Sequence, residues 1–292
     1  MYDVITIGSA TQDVFLRSKV WEVKEDTGSP TGFNACLPFG SKVPVEDLQV
    51  TTGGGATNAA VTFARMGGLR VGCVAAIGAD DGAGSAVLRD LRRERVATPL
   101  IQQNPKRHTG FSVILLAGSG ERTILVHRGA SERINARATP WPRLRARWLY
   151  CSSVNGDLAL IRKLLAHAET THASVAWNPG AAEIAAGWTT IAPLARRTAV
   201  FSVNREEGAA LTGLHPDDLN GILATLCSGV HNGRTRLGVV LVTDGSNGAY
   251  ACNGAMTWHI ASRNLDAVNT TGAGDAFCSA FVLGLDRISN LK

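Results

Sequence analysis

Asn269-Thr270-Thr271-Gly272-Ala273-Gly274-Asp275-Ala276-Phe277 is the stretch that decides the fold prediction. It predicts a tight turn of small residues that leads into a helix ending near Leu285. Gly272 and Gly274 permit unusual backbone angles and a close approach to the chain. The first N–H groups of a helix lack intrahelical partners and lie at the positive end of its dipole, which suits a phosphate. Asp275 in this first turn is either a general base or a carboxylate that only complements the dipole.

A second glycine-rich turn, Gly53-Gly54-Gly55, precedes another predicted helix. Asn58 lies in its first turn, where an amide side chain either caps the helix or binds a ligand. Asp13 follows a predicted buried strand, Asp3–Gly8. Ligands of open α/β sheets bind at the carboxyl ends of the strands, so we expect a loop there to place Asp13 at the site. A turn-forming role explains this aspartate equally well on local evidence.

From Arg147 onward, predicted strands alternate with helices, which indicates an α/β fold with a mainly parallel central sheet and helices on both faces. Three further polar loops each follow a strand of this sheet: 178–180, 204–207 and 243–248. The carboxyl ends of parallel strands share one edge of the sheet. We therefore expect these loops to lie beside the two glycine turns and to form one ligand site.

Two regions depart from this alternation. Residues 14–50 contain turn formers and short apolar pieces without a helical period, and residues 108–128 contain a hairpin pattern. We predict that they form a small β-sheet that acts as a lid over the ligand. The chain is therefore expected to be a single α/β domain over 1–292 with this lid.

Composition limits the remaining function classes. The chain has 292 residues, a formal net charge of +5 and six widely spaced cysteines. The cysteine spacing predicts reduced thiols rather than a disulfide framework or a zinc site. A basic cluster at 92–95 carries its own glutamate and no nucleic-acid motif, so we interpret it as a solvated helix face. Apolar runs are strand-sized and no leader pattern is present, which predicts a cytoplasmic protein without membrane or nucleic-acid partners.

Taken together, the motifs resemble the PfkB/ribokinase-like family of carbohydrate and nucleoside kinases over nearly the whole chain. The stretch 269–277 is similar to the family's D-T-T-G-A-G-D-A-F, and Gly53, Gly54 and Asn58 match its opening signature. The other matching residues, in the patterns N-x-x-E and T-x-G-x-x-G, are Asn204, Glu207, Thr243, Gly245 and Gly248. Four motifs in the family's order argue against a chance similarity.

The resemblance implies ATP-dependent phosphorylation of a hydroxymethyl group on a sugar or nucleoside, with Mg²⁺. Asp275 would be the base, and the N–H groups of Gly272, Ala273 and Gly274 would form the anion hole. The residues implied to bind the acceptor are Asp13, Gly53, Gly54, Gly55 and Asn58. Those implied to bind the nucleotide are Asn204, Glu207, Thr243, Gly245, Gly248 and Thr271, with Glu207 holding Mg²⁺ through water. The small sheet would close over the acceptor and could form a homodimer contact.

The chain departs from the family pattern at two places. Asn269 stands where the family usually has aspartate beside a K⁺ site that also involves the position of Thr271, so we expect weak K⁺ binding at Asn269 and Thr271. The chain stops at Lys292, where the family usually continues through segments that wall the adenine, so we expect a C-terminally shortened domain with an open nucleotide pocket.

These departures keep a second interpretation open, a non-catalytic sugar- or nucleoside-binding relative with an incomplete nucleotide pocket. A dinucleotide-dependent oxidoreductase is disfavoured because no predicted strand is followed by G-x-G-x-x-G. Gly55 stands where relatives often carry lysine, which disfavours a phosphorylated acceptor. The sequence leaves the choice between a sugar and a nucleoside open.

Overall fold

A computed structural model describes residues 1–29, 32–116, 122–230, 238–263 and 272–289. Their central feature is a sheet of eight strands. In spatial order the strands are β16 (Thr257–Ile260), β15 (Ala249–Cys252), β14 (Val239–Thr243), β13 (Val200–Asn204), β12 (Ser174–Trp177), β11 (Ala146–Cys151), β1 (Tyr2–Ile7) and β6 (Val71–Val74). The strands from β14 to β6 run parallel, and β15 and β16 are antiparallel. The predicted mainly parallel sheet is confirmed.

Helices cover both faces of this sheet. They are α1 (Gly55–Gly67), α2 (Gly82–Arg93), α3 (Leu158–Thr171), α4 (Ala181–Ile184), α5 (Trp188–Ala195), α6 (Arg205–Thr212), α7 (Leu219–Val230) and α8 (Ala273–Ser289). Successive strand residues point to opposite faces, so the sheet divides the core into two apolar clusters. On β11, Leu149 packs into the cluster under α3, α5 and α7, and Tyr150 packs into the cluster under α1 and α8. Both clusters bury aliphatic and aromatic side chains almost completely.

A smaller four-stranded sheet lies beside the central one. It contains β10 (Arg122–His127), β9 (Gly110–Leu116), β2 (Thr11–Arg17) and β5 (Asp47–Gly53), in that order. Two short pairs complete the strands: β3 (Glu22–Glu25) with β4 (Phe33–Cys36), and β7 (Ala76–Gly78) with β8 (Gln102–Asn104). The small sheet that the sequence predicts is therefore present. Asp13 belongs to its strand β2, so the expectation that Asp13 lies in a loop after β1 was wrong: the chain re-enters a strand after Ala10.

The cysteine prediction was wrong for one pair. Cys227 of α7 and Cys252 of β15 form a disulfide across 25 positions of the sequence. The strand β14 lies between them in the chain, and the packing of α7 against the sheet brings them together, which sequence spacing does not reveal. The free thiols of Cys73, Cys151 and Cys278 are buried. Among the described helices, none has the length and apolar character needed to cross a bilayer.

Candidate active site

A hydrogen bond between Asn58 and Asp275 joins the two glycine-rich helix starts. Asn58 Nδ2 donates to Asp275 Oδ2 at 2.9 Å, across 217 positions of the sequence. Gly272 has a φ of +78°, and a Cβ at that position would lie 3.3 Å from Asn58 Nδ2. Glycine supplies both the left-handed backbone angle and the room for this close approach. The structure therefore brings together the two turns that the sequence places more than two hundred residues apart.

The environment of Asp275 favours a basic carboxylate. Burial raises the pKa of Asp275, and the hydrogen bond from Asn58 opposes this by stabilising the ionised form. Ser279 Oγ donates to the backbone oxygen of Asp275 at 2.7 Å, which ties the residue to the next turn of α8. A carboxylate with a raised pKa accepts a proton from a hydroxyl more readily than an ordinary exposed aspartate does.

Glu207 lies close enough to Asp275 for their charges to interact. Burial raises the pKa of Glu207, the backbone N–H of Asn204 lowers it, and the neighbouring charges of Glu206 and Asp275 raise it further. Two carboxylates that repel each other at one sheet edge attract a cation between or beside them. The arrangement is therefore compatible with a divalent metal near the start of α8.

The start of α8 presents backbone N–H groups next to Asp275. Within the described residues, the first hydrogen bond of this helix runs from the N–H of Ala276 to the oxygen of Gly272 at 2.9 Å. The N–H groups of Ala273 and Gly274 precede that bond, and both residues are exposed. Among the described residues, no atom lies within 4 Å of a Cβ placed on Gly274, so an anion can approach this part of the helix start closely.

The start of α1 differs, because Ser9 occupies its first N–H groups. The N–H of Gly55 donates to Ser9 Oγ at 3.0 Å, and the N–H of Ala56 donates to Ser9 O at 3.1 Å. Gly54 has a φ of +101°, and a Cβ there would lie 2.5 Å from Ser9 O. A Cβ on Gly55 would lie 2.7 Å from Ser152 Oγ. The glycines of this turn therefore allow close packing, and the α8 start is the better site for an anion.

Asp13 is nearly buried in the small sheet and packs against Gly53. Thr11 Oγ1 donates to Asp13 Oδ1 at 3.0 Å, and a Cβ on Gly53 would lie 1.8 Å from Asp13 Oδ2. Burial raises the pKa of Asp13, while hydrogen bonds from Ser112 and Thr11 lower it. Only glycine at position 53 leaves space for this carboxylate, so Asp13 and Gly53 pack in direct contact at the end of β5.

Asn204 and Glu207 form a capping box at the start of α6. The N–H of Glu207 donates to Asn204 Oδ1 at 2.7 Å, and the N–H of Asn204 donates to Glu207 Oε2 at 2.9 Å. Asn204 pairs in register with Thr243, so both lie at the carboxyl ends of neighbouring strands. The helix cap alone accounts for the N-x-x-E spacing, and the role of both residues in nucleotide binding stays a prediction.

The remaining predicted nucleotide residues lie in the turn after β14. Gly245 has a φ of +51° and opens a short 3-10 turn, Gly245–Asn247. Gly248 has a φ of +101°, and a Cβ there would lie 2.0 Å from Ile260 O, so hairpin packing is sufficient to require glycine. Asn269 and Thr271 lie outside the described residues.

One cavity of about 360 Å³ lies between the small sheet, α1 and α2, and its lining includes Asp13, Gly53, Asn58 and Gly272. Its size falls within the range of small-molecule sites in proteins, roughly 300–1,000 Å³. Sequence reasoning missed Ser9, which accepts hydrogen bonds from the first N–H groups of α1, and Ser152, which packs against Gly55. Their position at the ends of strands β1 and β11 is the signal that could have found them, but a lone serine is not distinctive.

This architecture, a large mainly parallel sheet covered by helices on both faces with a small β-sheet beside it, is the ribokinase-like fold. A structure of a putative ribokinase from Agrobacterium tumefaciens has a TM-score of 0.78 at 22% identity and covers 98% of this chain and 85% of its own. The adenosine kinase of Sinorhizobium meliloti has a TM-score of 0.77 at 21% identity, covering 98% and 88%. At these identities the likeness shows the fold.

The sequence comparison identifies the family. The model for pfkB family carbohydrate kinases matches residues 20–292, and the chain belongs to this family. It is 26% identical to fructokinase from Escherichia coli over 243 residues, which cover 80% of this chain and 76% of that protein. It is 24% identical to ribokinase from Schizosaccharomyces pombe over 296 residues, covering 96% and 84%. The predicted family membership is confirmed.

Proposed function

We propose that the chain transfers the γ-phosphoryl group of ATP to a hydroxymethyl group of a sugar or nucleoside. The observation that carries this proposal is the hydrogen bond between Asn58 and Asp275, which holds a carboxylate of raised pKa beside the N-terminus of α8. Related proteins support the choice of reactants: solved ribokinases include one from Cryptococcus neoformans in complex with ADP and one from Arabidopsis thaliana with ribose and ATP.

In the proposed reaction Asp275 accepts the proton of the acceptor hydroxyl as that oxygen attacks phosphorus. The N–H groups of Ala273 and Gly274 stabilise the charge on the transferred phosphoryl oxygens, because they are already oriented and need no rearrangement. Asp13 and Asn58 orient the acceptor by hydrogen bonds to its hydroxyls. Closure of the small sheet over the bound acceptor limits the access of water, which would otherwise compete as the nucleophile.

The residues at the sheet edge fit a magnesium ion bound through water. Mg²⁺ prefers oxygen ligands and keeps several waters, and when bound it would neutralise charge between the phosphates of ATP. The capping box uses one oxygen of Glu207, so a second carboxylate oxygen can face a hydrated ion. We propose Asn204, Thr243, Gly245 and Gly248 as the nucleotide side of the site because their strands end at this edge. Thr271, and a K⁺ site at Asn269 and Thr271, remain predictions.

A coupled assay for ADP release tests the proposal with pentoses, hexoses and nucleosides as acceptors, each with and without Mg²⁺. We expect Mg²⁺-dependent ADP release that requires an acceptor, and a phosphorylated hydroxymethyl group in the isolated product. Thermal unfolding with MgATP and with each acceptor provides the control for binding. Acceptor binding without ADP release or stabilisation by MgATP would instead support the non-catalytic relative.

We further propose that the small sheet forms a homodimer contact. Its face opposite Asp13 is aliphatic: Leu48 pairs with Leu16 and Val50 with Val14 across β5 and β2. Leu48 and Val50 are 61% and 52% exposed, and Leu125 on β10 is 55% exposed. Aliphatic side chains in one continuous exposed patch mark an interaction surface. A second copy of the chain presents the same patch and therefore covers it symmetrically.

Analytical ultracentrifugation of Leu48→Lys measures this contact. We expect a dimer for the unaltered chain and a monomer for the variant, because the lysine charge cannot be buried unpaired. Met66→Lys, at an exposed position on α1, is the matched control and should remain dimeric. A monomer at all concentrations for the unaltered chain would contradict the proposed contact.

A further inference from the structure

Arg205 stands at a position where helix electrostatics disfavour a cation. It is the first residue of α6, and the start of a helix lies at the positive end of the dipole, where carboxylates are stabilising. Glu206 and Glu207 in the same turn follow this rule. A residue that breaks a local rule is expected where a contact elsewhere in the fold compensates for it.

That contact is an ion pair with Asp244, which follows the neighbouring strand β14. Arg205 Nε lies 3.1 Å from Asp244 Oδ1. Within the described residues this nitrogen forms no hydrogen bond of ordinary geometry, so the attraction is mainly that of opposite charges. The side chain of Asp244 is 7% exposed and that of Arg205 is 28% exposed, so water and salt screen this pair less than a pair on the surface.

The carboxylate of Asp244 is also fixed to the turn that follows β14. Its other oxygen, Oδ2, accepts a hydrogen bond from Asn247 Nδ2 at 3.1 Å. The backbone N–H of Asp244 donates to Gly248 O at 2.8 Å, and its backbone oxygen accepts from the N–H of Asn247 at 2.9 Å. Residues 245–247 are exposed, so the buried Asp244 carboxylate attaches them to the body of the protein, with one oxygen on the turn and the other beside α6.

The ion pair joins two segments that the proposed function assigns to the nucleotide. The last residues paired in register between β13 and β14 are Asn204 and Thr243. Arg205 and Asp244 are the next residues of the two segments, so their contact continues the connection beyond the end of the backbone pairing. His259 Nε2 of β16 lies 2.9 Å from a backbone oxygen of the turn and holds it from the hairpin side. The ion pair supplies the connection to α6.

We propose that Arg205 and Asp244 are positioning residues of the nucleotide site: their ion pair holds the turn 243–248 beside the start of α6, so that both segments meet the nucleotide in a fixed relative orientation. This inference rests on the proposed function for what the two segments bind. It adds two residues that act through the turn and lower the cost of ordering it when the nucleotide binds. Acceptor binding should not depend on the pair, because the residues proposed for the acceptor lie on α1 and the small sheet.

Hydrogen exchange of the nucleotide-free protein tests the positioning role separately from catalysis. In Arg205→Met, the amides of residues 243–249 should exchange at least about fivefold faster than in the unaltered protein, because the turn opens more often. Arg197→Met is the matched control. Arg197 Nε lies 2.9 Å from Glu169 Oε1, and this ion pair precedes β13 and therefore lies at the opposite edge of the sheet. Its loss should leave exchange of the turn unchanged. Equal exchange in Arg205→Met and the unaltered protein would overturn the inference.

A double-mutant cycle on the KM for ATP tests the connection to the nucleotide. Arg205→Met and Asp244→Asn should each raise this KM about tenfold, with the acceptor KM within about twofold, and the double variant should be no worse than either single one. Arg205→Lys keeps the charge and should restore part of the ATP affinity. Additive effects of the two substitutions would show that each residue acts alone, which would overturn the inference.

The same variants distinguish positioning from a purely structural role. Arg205→Met leaves the buried Asp244 carboxylate unpaired and should lower Tm. The double variant lacks that charge, so its Tm should recover, whereas its KM for ATP should stay raised because the connection is still absent. A KM that recovers together with Tm would overturn the inference.

Failure of this inference and failure of the kinase proposal give different results. ADP release with an unchanged KM for ATP in every variant would refute the inference alone. Absence of both nucleotide binding and ADP release in the unaltered protein would refute the kinase proposal, and the exchange experiment would still decide whether the ion pair holds the turn.

Discussion

Replacement of Asp275 by asparagine is the sharpest test of the proposed chemistry. Asn58 Nδ2 donates to Asp275 Oδ2 at 2.9 Å, and an asparagine oxygen at the same position can accept the same hydrogen bond. The geometry of both helix starts should therefore survive, and the proton acceptor alone is lost. General-base assistance contributes about 10²- to 10⁴-fold to the rate, which corresponds to about 2.7 to 5.5 kcal/mol of transition-state stabilisation.

Turnover at saturating acceptor and acceptor affinity are measured separately. We expect kcat of Asp275→Asn to fall by about 10²- to 10⁴-fold, while the acceptor Kd from titration stays within about threefold. Glu206→Gln, at an exposed position on α6, removes a nearby negative charge without touching Asp275 and serves as the matched control. Its kcat should remain within about twofold of the unaltered protein.

Asp275→Asn should also change the thermal stability of the protein. Burial raises the pKa of Asp275 above its ordinary value of 3.8, so the folded state resists ionisation more than the unfolded state does. Stability attributable to this group is therefore highest below that ordinary value and declines as the pH rises through the raised pKa. Asp275→Asn removes this pH-dependent loss of stability. The Tm of the variant should therefore exceed that of the unaltered protein at pH 7, and the two Tm values should converge near pH 3.8.

Two results would refute this reasoning. Near-normal kcat in Asp275→Asn would show that Asp275 is not the base. A lower Tm at pH 7, together with weakened acceptor binding, would show that the carboxylate holds the local structure together and that the hydrogen bond to Asn58 does not survive the substitution. The expected combination of slower turnover, unchanged affinity and greater stability is characteristic of a functional group that costs stability.

Three further substitutions probe two positions of the site and one buried carboxylate of the fold. Gly53→Ala places a Cβ 1.8 Å from Asp13 Oδ2 and should lower kcat/KM for the acceptor by about 10- to 100-fold. Gly82→Ala is the control and should leave kcat/KM unchanged, because no atom of the described residues lies within 4 Å of the added Cβ. Glu207→Gln keeps an oxygen for the capping box, so Tm should hold while the Mg²⁺ concentration for half-maximal activity rises about tenfold; an unchanged Mg²⁺ dependence would contradict the metal role. Glu183 is fully buried and accepts hydrogen bonds from one serine hydroxyl and three backbone N–H groups, so Glu183→Gln should lower the free energy of unfolding by about 1–3 kcal/mol in urea titrations.

The sequence was sufficient to predict the features of the fold that depend on local patterns. Apolar strand runs followed by helices predict a parallel sheet, and parallel strands place their following loops at one edge. The two glycine turns were also predictable from a local pattern, because glycine before a helix allows other groups to approach the backbone closely. The meeting of Asn58 with Asp275 follows from the sheet edge in general terms, although the hydrogen bond itself depends on side-chain positions that only the packed structure supplies.

Other features depend on contacts between distant parts of the chain. The pairing of Cys227 with Cys252 needs α7 to pack against the sheet, and the entry of Asp13 into β2 needs β5 and β9 as neighbours. The reach of the cavity from Asp13 to Arg65 likewise depends on how α1 and α2 pack. These arrangements depend on tertiary packing. Packing can override the structure that a local sequence pattern indicates, and it decides features that no local pattern predicts.

The two glycine turns share one local pattern and offer different groups to a ligand. Both begin helices at the same sheet edge, and the sequence predicts an anion site at the start of α8. In the structure, Ser9 engages the N–H groups of Gly55 and Ala56, so the α1 start offers the side chain of Asn58 rather than its backbone. The α8 start offers backbone N–H groups beside Asp275. The first turn is therefore suited to bind and orient a polar acceptor, and the second to stabilise a transferred phosphoryl group. The hydrogen bond between Asn58 and Asp275 connects the two turns.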